Sequence, residues 1–258
     1  MKKWMLILGG LAALGIGAAA ALLVSINPIV EAGVNMYGPD ITGTHVFLKK
    51  ADISVFSGKG SLHEFTLGNP KGYRAPHAVK VASVSMELDK DSLLDDVIVI
   101  RRIDIDSPDI IYEISGKSNN FDDILKNVRS LTAAEEKAAR AKDAPASKDG
   151  GKARKVVIDE LTIRNAKAAV SLPSLKLDLS TPLPDIRLTD IGRDKSGRNV
   201  GVSMAEAASR VLKAVSGSLG SASKEAVSKA RVSLTIGSEG LGKAAKNVGD
   251  AIKGLFGK

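Results

Sequence analysis

Val97-Ile98-Val99-Ile100, followed after Arg101-Arg102 by Ile103-Asp104-Ile105-Asp106, is the stretch whose reading settles the fold class. The first run is wholly β-branched and apolar, and in the second Ile alternates with Asp at a period of two, which together predict strands with a buried face. Asp104 and Asp106 then fall on the wet face of the second run.

The same period extends outward through residues 41–114. Thr44-His45-Val46-Phe47-Leu48, Ile53-Ser54-Val55-Phe56, Ser61 to Leu67 and Val79 to Leu88 are predicted strands, with Gly58, Gly60 and Gly68 in the turns. Asn69-Pro70-Lys71-Gly72-Tyr73 interrupts them. A helix is expected from Asn120, which caps with Asp123 at the third position. Phe121, Ile124, Leu125, Val128 and Leu131 follow at helical spacing. Residues 142–154 have little to bury and read as a flexible linker or long loop.

Beyond it, Val156–Ile163 and Ala168–Leu172 predict a pair of strands. Leu175–Leu179 and Ile186–Leu188 follow, broken by Pro173, Pro182 and Pro184. Met204, Ala207, Ala208, Val211, Leu212 and Val215 form an apolar helical stripe. Leu241, Ala244, Ala245, Val248, Ile252, Leu255 and Phe256 form another, beside Lys243, Lys246 and Lys253. The segments divide as 1–27, 28–141, 142–154, 155–200 and 201–258.

Trp4 to Ile26 are 23 residues without a charge, preceded by Lys2 and Lys3. As a helix they span roughly 34 Å, enough for a bilayer core. The positive flank predicts a cytoplasmic N-terminus and a body across the membrane, with Pro28 as the helix exit. A cleaved signal peptide, with Ala18-Ala19-Ala20 near its processing site, is the competing reading.

The chain has 258 residues, no cysteine and a net charge of +8. Thiolate metal sites, disulfides and cysteine nucleophiles are therefore excluded. Only 3% of the residues are aromatic, which argues against base stacking and leaves nucleic acid off the list of expected partners. Residues 193–258 carry 12 Lys/Arg against 5 Asp/Glu, so the basic excess belongs to the tail. Its last helix reads as an interfacial membrane helix, a partner-binding helix, or a helix packed on its own domain.

Catalytic signals are weak. Gly237 to Lys243 follows a strand-like Val232–Ile236 and matches a phosphate loop, but Ala244 lacks the hydroxyl that would hold Mg²⁺. Asp89, Asp91, Asp95, Asp96, Asp104, Asp106 and Asp109 lack calcium-loop spacing. His45, His63 and His77 sit on different predicted elements, each expected to be structural. No enzyme, cofactor or metal is expected.

Ile41-Thr42-Gly43-Thr44, Leu67-Gly68-Asn69-Pro70-Lys71-Gly72-Tyr73, Ser92-Leu93-Leu94 with Val97–Ile100, Ser107-Pro108 through Ile111-Tyr112-Glu113, and Ser118-Asn119-Asn120 with Ile124-Leu125 together resemble the AsmA family of bacterial envelope proteins. Residues 41–128 carry the resemblance. Val157–Ile163 and Leu183–Ile186 resemble the family more loosely. It implies an α+β, mainly β fold: an N-terminal transmembrane helix, an elongated, curved, antiparallel-rich sheet with an apolar groove, and a few amphipathic helices. It further implies an inner-membrane, single-pass protein with a periplasmic body that binds or conducts phospholipid in outer-membrane biogenesis.

On that reading Val46, Leu48, Val55, Ile98, Ile100, Ile103 and Ile105 are the groove candidates, although ordinary core packing explains the same alternation. Leu241, Lys246, Val248, Ile252, Lys253, Leu255 and Phe256 are the membrane-contact candidates. About ten strands at roughly 4.8 Å spacing give only about 50 Å of sheet. A chain this short needs copies of itself, envelope partners or another task. The alternative function is an assembly factor that binds protein partners and no lipid.

Overall fold

The computed structural model describes residues 26–140, 154–173 and 177–236. The membrane-contact candidates, Gly237–Ala244, nearly all of the 142–154 linker and most of the Trp4–Ile26 stretch lie outside them. Three helices accompany ten strands: α1 over residues 26–42, α2 over Asn120–Arg140 and α3 over Met204–Ile236. The strands are β1 (Val46–Ser54), β2 (Lys59–Leu67), β3 (Val79–Leu88), β4 (Val97–Asp106), β5 (Asp109–Ser115), β6 (Ser118–Asn119), β7 (Lys155–Arg164), β8 (Lys167–Leu172), β9 (Leu177–Pro182) and β10 (Ile186–Ile191). A short 3₁₀ turn, Lys90–Leu94, precedes β4. The fold is mainly β, a curled half-barrel sheet with a few helices, as expected.

The ten strands are not ten side-by-side strands. β4 and β5 lie end to end, and so do β7 and β8. Their parallel pairing keeps one offset from Val97 opposite Lys155 to Glu113 opposite Ser171. β9 and β10 likewise form one length antiparallel to β7 and β8. Apart from the two-residue β6, the sheet is therefore six long ribbons in chain order, β1, β2, β3, β4–β5, β7–β8 and β9–β10. That gives about 29 Å across the hydrogen bonds rather than 50 Å. The predicted pairing of Val156–Ile163 with Ala168–Leu172 is thereby corrected: β7 pairs β4 and β10, while β8 pairs β5 and β9.

What divides the ribbons is a shared crease. Pairing lapses for one to three positions in every ribbon, and carrying the register across the gap places Lys49, Glu64, Ala82, Ser107, Asn165 and Pro184 on one transverse line. Glu64, Ser107 and Asn165 have φ of 53°, 50° and 54°, left-handed values uncommon for non-glycine residues. A second, shorter line runs through Arg101, Asp159 and Asp190, the last at φ 57°. Each crease advances the inward-facing positions by three residues instead of two. Leu48 and Ala51 are both buried, as are Val81 and Val84, and Ile163 and Ala166.

The creases keep one face apolar from end to end. Across the ribbons, Ala51, Leu62, Val84, Ile105, Ile163 and Ile186 lie opposite one another, and so do Ile53, Gly60, Met86, Ile103, Leu161 and Leu188. Past the main crease comes Val46, Leu67, Val79, Ile110, Ala168 and Thr181. The other face is polar in the same register: Asp52, Ser61, Ser85, Asp104, Thr162 and Arg187 form one row, and Ser54, Lys59, Glu87, Arg102, Glu160 and Thr189 the next.

Helices α2 and α3 lie on the apolar, inner face. Phe121, Ile124 and Val128 are fully buried with Tyr112, Val170 and Leu172, each such side chain contributing about 1.5–3 kcal/mol. α3 adds Ala205, Ala207, Leu212, Val215, Leu219 and Val227. Val232–Ile236, expected to be extended, belongs to α3, where the 3.6 period continues.

α1 was not anticipated: Pro28 does not end a helix, because the chain stays helical to residue 42. Its polar residues Asn27, Glu31 and Asn35 lie one turn apart and bond the open edge of β1. Asn27 Oδ1 accepts from Ile53 N (2.9 Å), Glu31 Oε1 from Ala51 N (2.8 Å) and Asn35 Oδ1 from Leu48 N (2.7 Å). Asn35 Nδ2 donates back to Leu48 O at 2.9 Å. Four residues of helix rise about 6 Å, close to the two strand residues from Ile53 to Ala51, and the crease at Lys49 lies within the three-residue step from Ala51 to Leu48.

Candidate functional site

Two features compete for the site: a buried polar cluster at one end of the sheet and the open part of the apolar face. The cluster gathers most of the segments that carry the family resemblance. Glu113, 1% exposed, accepts from Arg74 N (2.9 and 2.8 Å) and Ala75 N (2.6 Å). Asn120, fully buried, accepts from Glu113 N and Phe121 N and donates to Asn69 Oδ1 and Ile111 O. The helix cap therefore falls to Asn119, whose Oδ1 receives Asp122 N at 2.8 Å, and not to Asn120 as expected.

Tyr73 donates to Asp123 at 2.5 Å, and Ser118 to the other oxygen of Asp123 at 2.8 Å. Burial and the Asp123 carboxylate push the Tyr73 phenol well above its usual range; burial pushes Tyr112 up to about 12. These groups satisfy one another, so the Asn69–Tyr73 turn is a latch that fixes the start of α2 to the sheet.

Elsewhere the polar chemistry is shallow. Ser61 Oγ and His63 Nε2 are 2.9 Å apart, but on the exposed polar face, and no carboxylate bonds the ring. His77 pairs with Asp109 at 3.0 Å. An open depression of about 560 Å³ is lined by Asp89, Asp91, Asp95, Asp96 and Asn199. Asp89 is committed there to Arg101 and to the amide of Asp91. Among the described residues no group of three or more acidic or histidine side chains is placed to hold a metal. Asp104 and Asp106 lie on the polar face as expected, bonded to Thr162 and Asn165.

The inner face is the feature that remains. Ile98, Ile100, Ile103 and Ile105 share one side of β4. Strict alternation would set 98 and 100 against 103 and 105, and the crease at Arg101 reverses that parity. Ile100, Ile103 and Ile105 touch the packed core while staying partly exposed; Ile98 is half-buried outside it. Val46 (5% exposed) is inside the core, Leu48 (1%) is buried outside that core cluster, and Val55 lies in the turn after β1.

Four residues not singled out from sequence complete the open part. Ile53, Leu62, Met86 and Leu88 are half-buried apolar residues on the same side, outside the packed core. Gly60 lets Ile53 and Met86 close over it: a Cβ there would meet the Met86 side chain at 3.0 Å and Ile53 at 3.2 Å. Among the described residues α2 and α3 thus fill the face from β5 to β10 and leave the β1–β4 side as an apolar trough. Their signal in the sequence was the alternation of β1, β2 and β3; what was missing was the register that brings them together.

Among the described residues no helix is long and apolar enough to cross a membrane. The protein-family profile described as the AsmA family matches residues 59–188. No curated protein matches the chain.

Proposed function

The chain belongs to the AsmA family, whose membership points to an envelope-associated function, and from that premise we propose that its trough holds phospholipid acyl chains. The observation that carries this reading is the apolar register of the inner face, where Ile53, Leu62, Met86, Leu88 and Ile98 lie outside the core that α2 and α3 build among the described residues. Water gains nothing from such a surface, whereas an acyl chain gains about 0.8 kcal/mol per buried methylene. The protein acts without catalysis, anchored in the inner membrane by Trp4–Ile26, with its body in the periplasm. Six ribbons span only about 29 Å, so passage between two membranes requires further copies or partners.

The test is photo-cross-linking in a Gram-negative envelope, with p-benzoylphenylalanine placed at Met86 or Ile103 and, as controls, at Ser85 or Asp104. Labelled phospholipid captured from the first pair and not the second supports the trough. Capture of protein alone from the inner positions favours the assembly-factor reading. That reading draws less support from strand pairing, since α1 already occupies the β1 edge and Pro182 and Pro184 interrupt the last ribbon.

A further inference from the structure

An amphipathic helix on a protein in water turns its apolar stripe inward. α1 turns Val34 and Ile41 toward the core but carries a second apolar face on its outside. Its polar side chains Asn27, Glu31 and Asn35 are spent on the β1 edge. Its outward face is Pro28, Ile29, Ala32, Met36 and Tyr37, with Ile29 65%, Met36 63% and Tyr37 55% exposed, and it ends in the exposed Asp40. α1 carries two charges, Glu31, which faces the sheet, and Asp40, which is exposed in its last turn beyond the apolar face.

We propose that this outward face lies lengthwise in the headgroup–acyl boundary of a lipid bilayer and sets the β1 edge of the sheet against the membrane surface. The occupant is argued from continuity: the uncharged stretch from Trp4 runs without a break into residue 26, where α1 is already helical. A face that follows such a segment meets lipid before any other partner. Tyr37 has the amphipathic ring favoured at that depth. A second observation points the same way. Phe56, 77% exposed, is in the turn after β1, beside the end of α1 that bonds Ile53.

The arrangement has a directional result. With α1 on the surface, ribbons stack away from the bilayer in chain order and the trough begins at Ile53 and Leu62, next to the lipid. The proposal rests on membrane insertion of Trp4–Ile26 but not on lipid entering the trough.

The absence of cysteine allows a clean experiment. The full chain, carrying Met36→Cys, Leu11→Cys or Lys195→Cys labelled with an environment-sensitive fluorophore, is reconstituted into phosphatidylethanolamine–phosphatidylglycerol vesicles. Nitroxide lipids then quench it from headgroup or mid-chain depth. Lys195 is exposed and lies just beyond the sixth ribbon, about 25 Å from β1. Headgroup-depth quenching of the Met36 label at least about two-fold above the Lys195 label supports the proposal. Mid-chain quenching at Leu11 with Met36 no better quenched than Lys195 overturns it while leaving the anchor intact. Quenching at neither position removes both. A blue-shifted but unquenched Met36 label means a protein surface covers the face, and overturns it too.

Discussion

At the residue scale, the most informative positions are those whose neighbours leave them no alternative. Asn120 serves four partners with one side chain, and its removal leaves buried groups unpaired, each worth about 1–3 kcal/mol. Asn120→Ala is expected to lower stability by about 3 kcal/mol, read as a urea-midpoint shift at constant slope. Tyr112 is favoured in its neutral form, because burial raises its pKa to about 12 in the folded chain against about 10 unfolded. Its contribution is complete below about pH 10 and lost as pH climbs through about 12. Tyr112→Phe should accordingly flatten the alkaline limb of the stability profile, measured by urea midpoints between about pH 9 and pH 12. The sequence exposed the helix-forming stripe Phe121–Leu131 but not the choice between Asn119 and Asn120 as cap. That choice depends on Asn69, which is 51 residues away.

At the element scale, the creases and α1 are the features that periodicity does not reveal. Three of the six ribbons cross the main crease with an L-residue at positive φ, and of these Ser107 and Asn165 look like any polar residue between strands. Ser107→Val should cost about 1–3 kcal/mol and Ser107→Gly little, since only the branched side chain resists that conformation; thermal unfolding of the two variants distinguishes them. α1 escaped the sequence reading because Pro28, Gly33, Gly38 and Pro39 are poor helix formers. What sustains it is the β1 edge. Glu31→Ala removes the acceptor of Ala51 N, and amide exchange at Ala51 is expected to quicken by about ten-fold or more while that of Val84, on the interior ribbon β3, stays unchanged.

At the scale of the whole molecule, most strand positions were legible and strand partners were not. The two runs expected at Thr44–Leu48 and Ile53–Phe56 are the single strand β1, and Gly60, expected in a turn, lies within β2. Val79–Leu88 was bounded correctly from alternation alone, but nothing in that pattern says that β4 and β7 run parallel, because α2 carries the chain back across the sheet. The groove candidates on β4 came from the same alternation, while Ile53, Leu62, Met86 and Leu88 became part of a trough only through register. A charge placed in that trough should interfere with lipid more than with folding, since the site is open. Met86→Glu is predicted to reduce phospholipid cross-linking at Ile103 by about ten-fold, with the far-UV dichroism and urea midpoint nearly unchanged.

The row through Glu64, Ser107 and Asn165 also bears on how such a protein changes over generations. β4–β5 and β7–β8 match position for position: Ile98 with Val156, Ile100 with Ile158, Ile105 with Ile163, Tyr112 with Val170, and left-handed Ser107 with left-handed Asn165. Because every ribbon bends at the same level, a duplicated ribbon inherits the bend with its apolar parity already correct and needs no adjustment from its neighbours. The ribbon is thus the heritable unit of length. Members of the family with added ribbons should show a residue at positive φ on this row in about half of them, as Glu64, Ser107 and Asn165 do here, a count that their structures will supply.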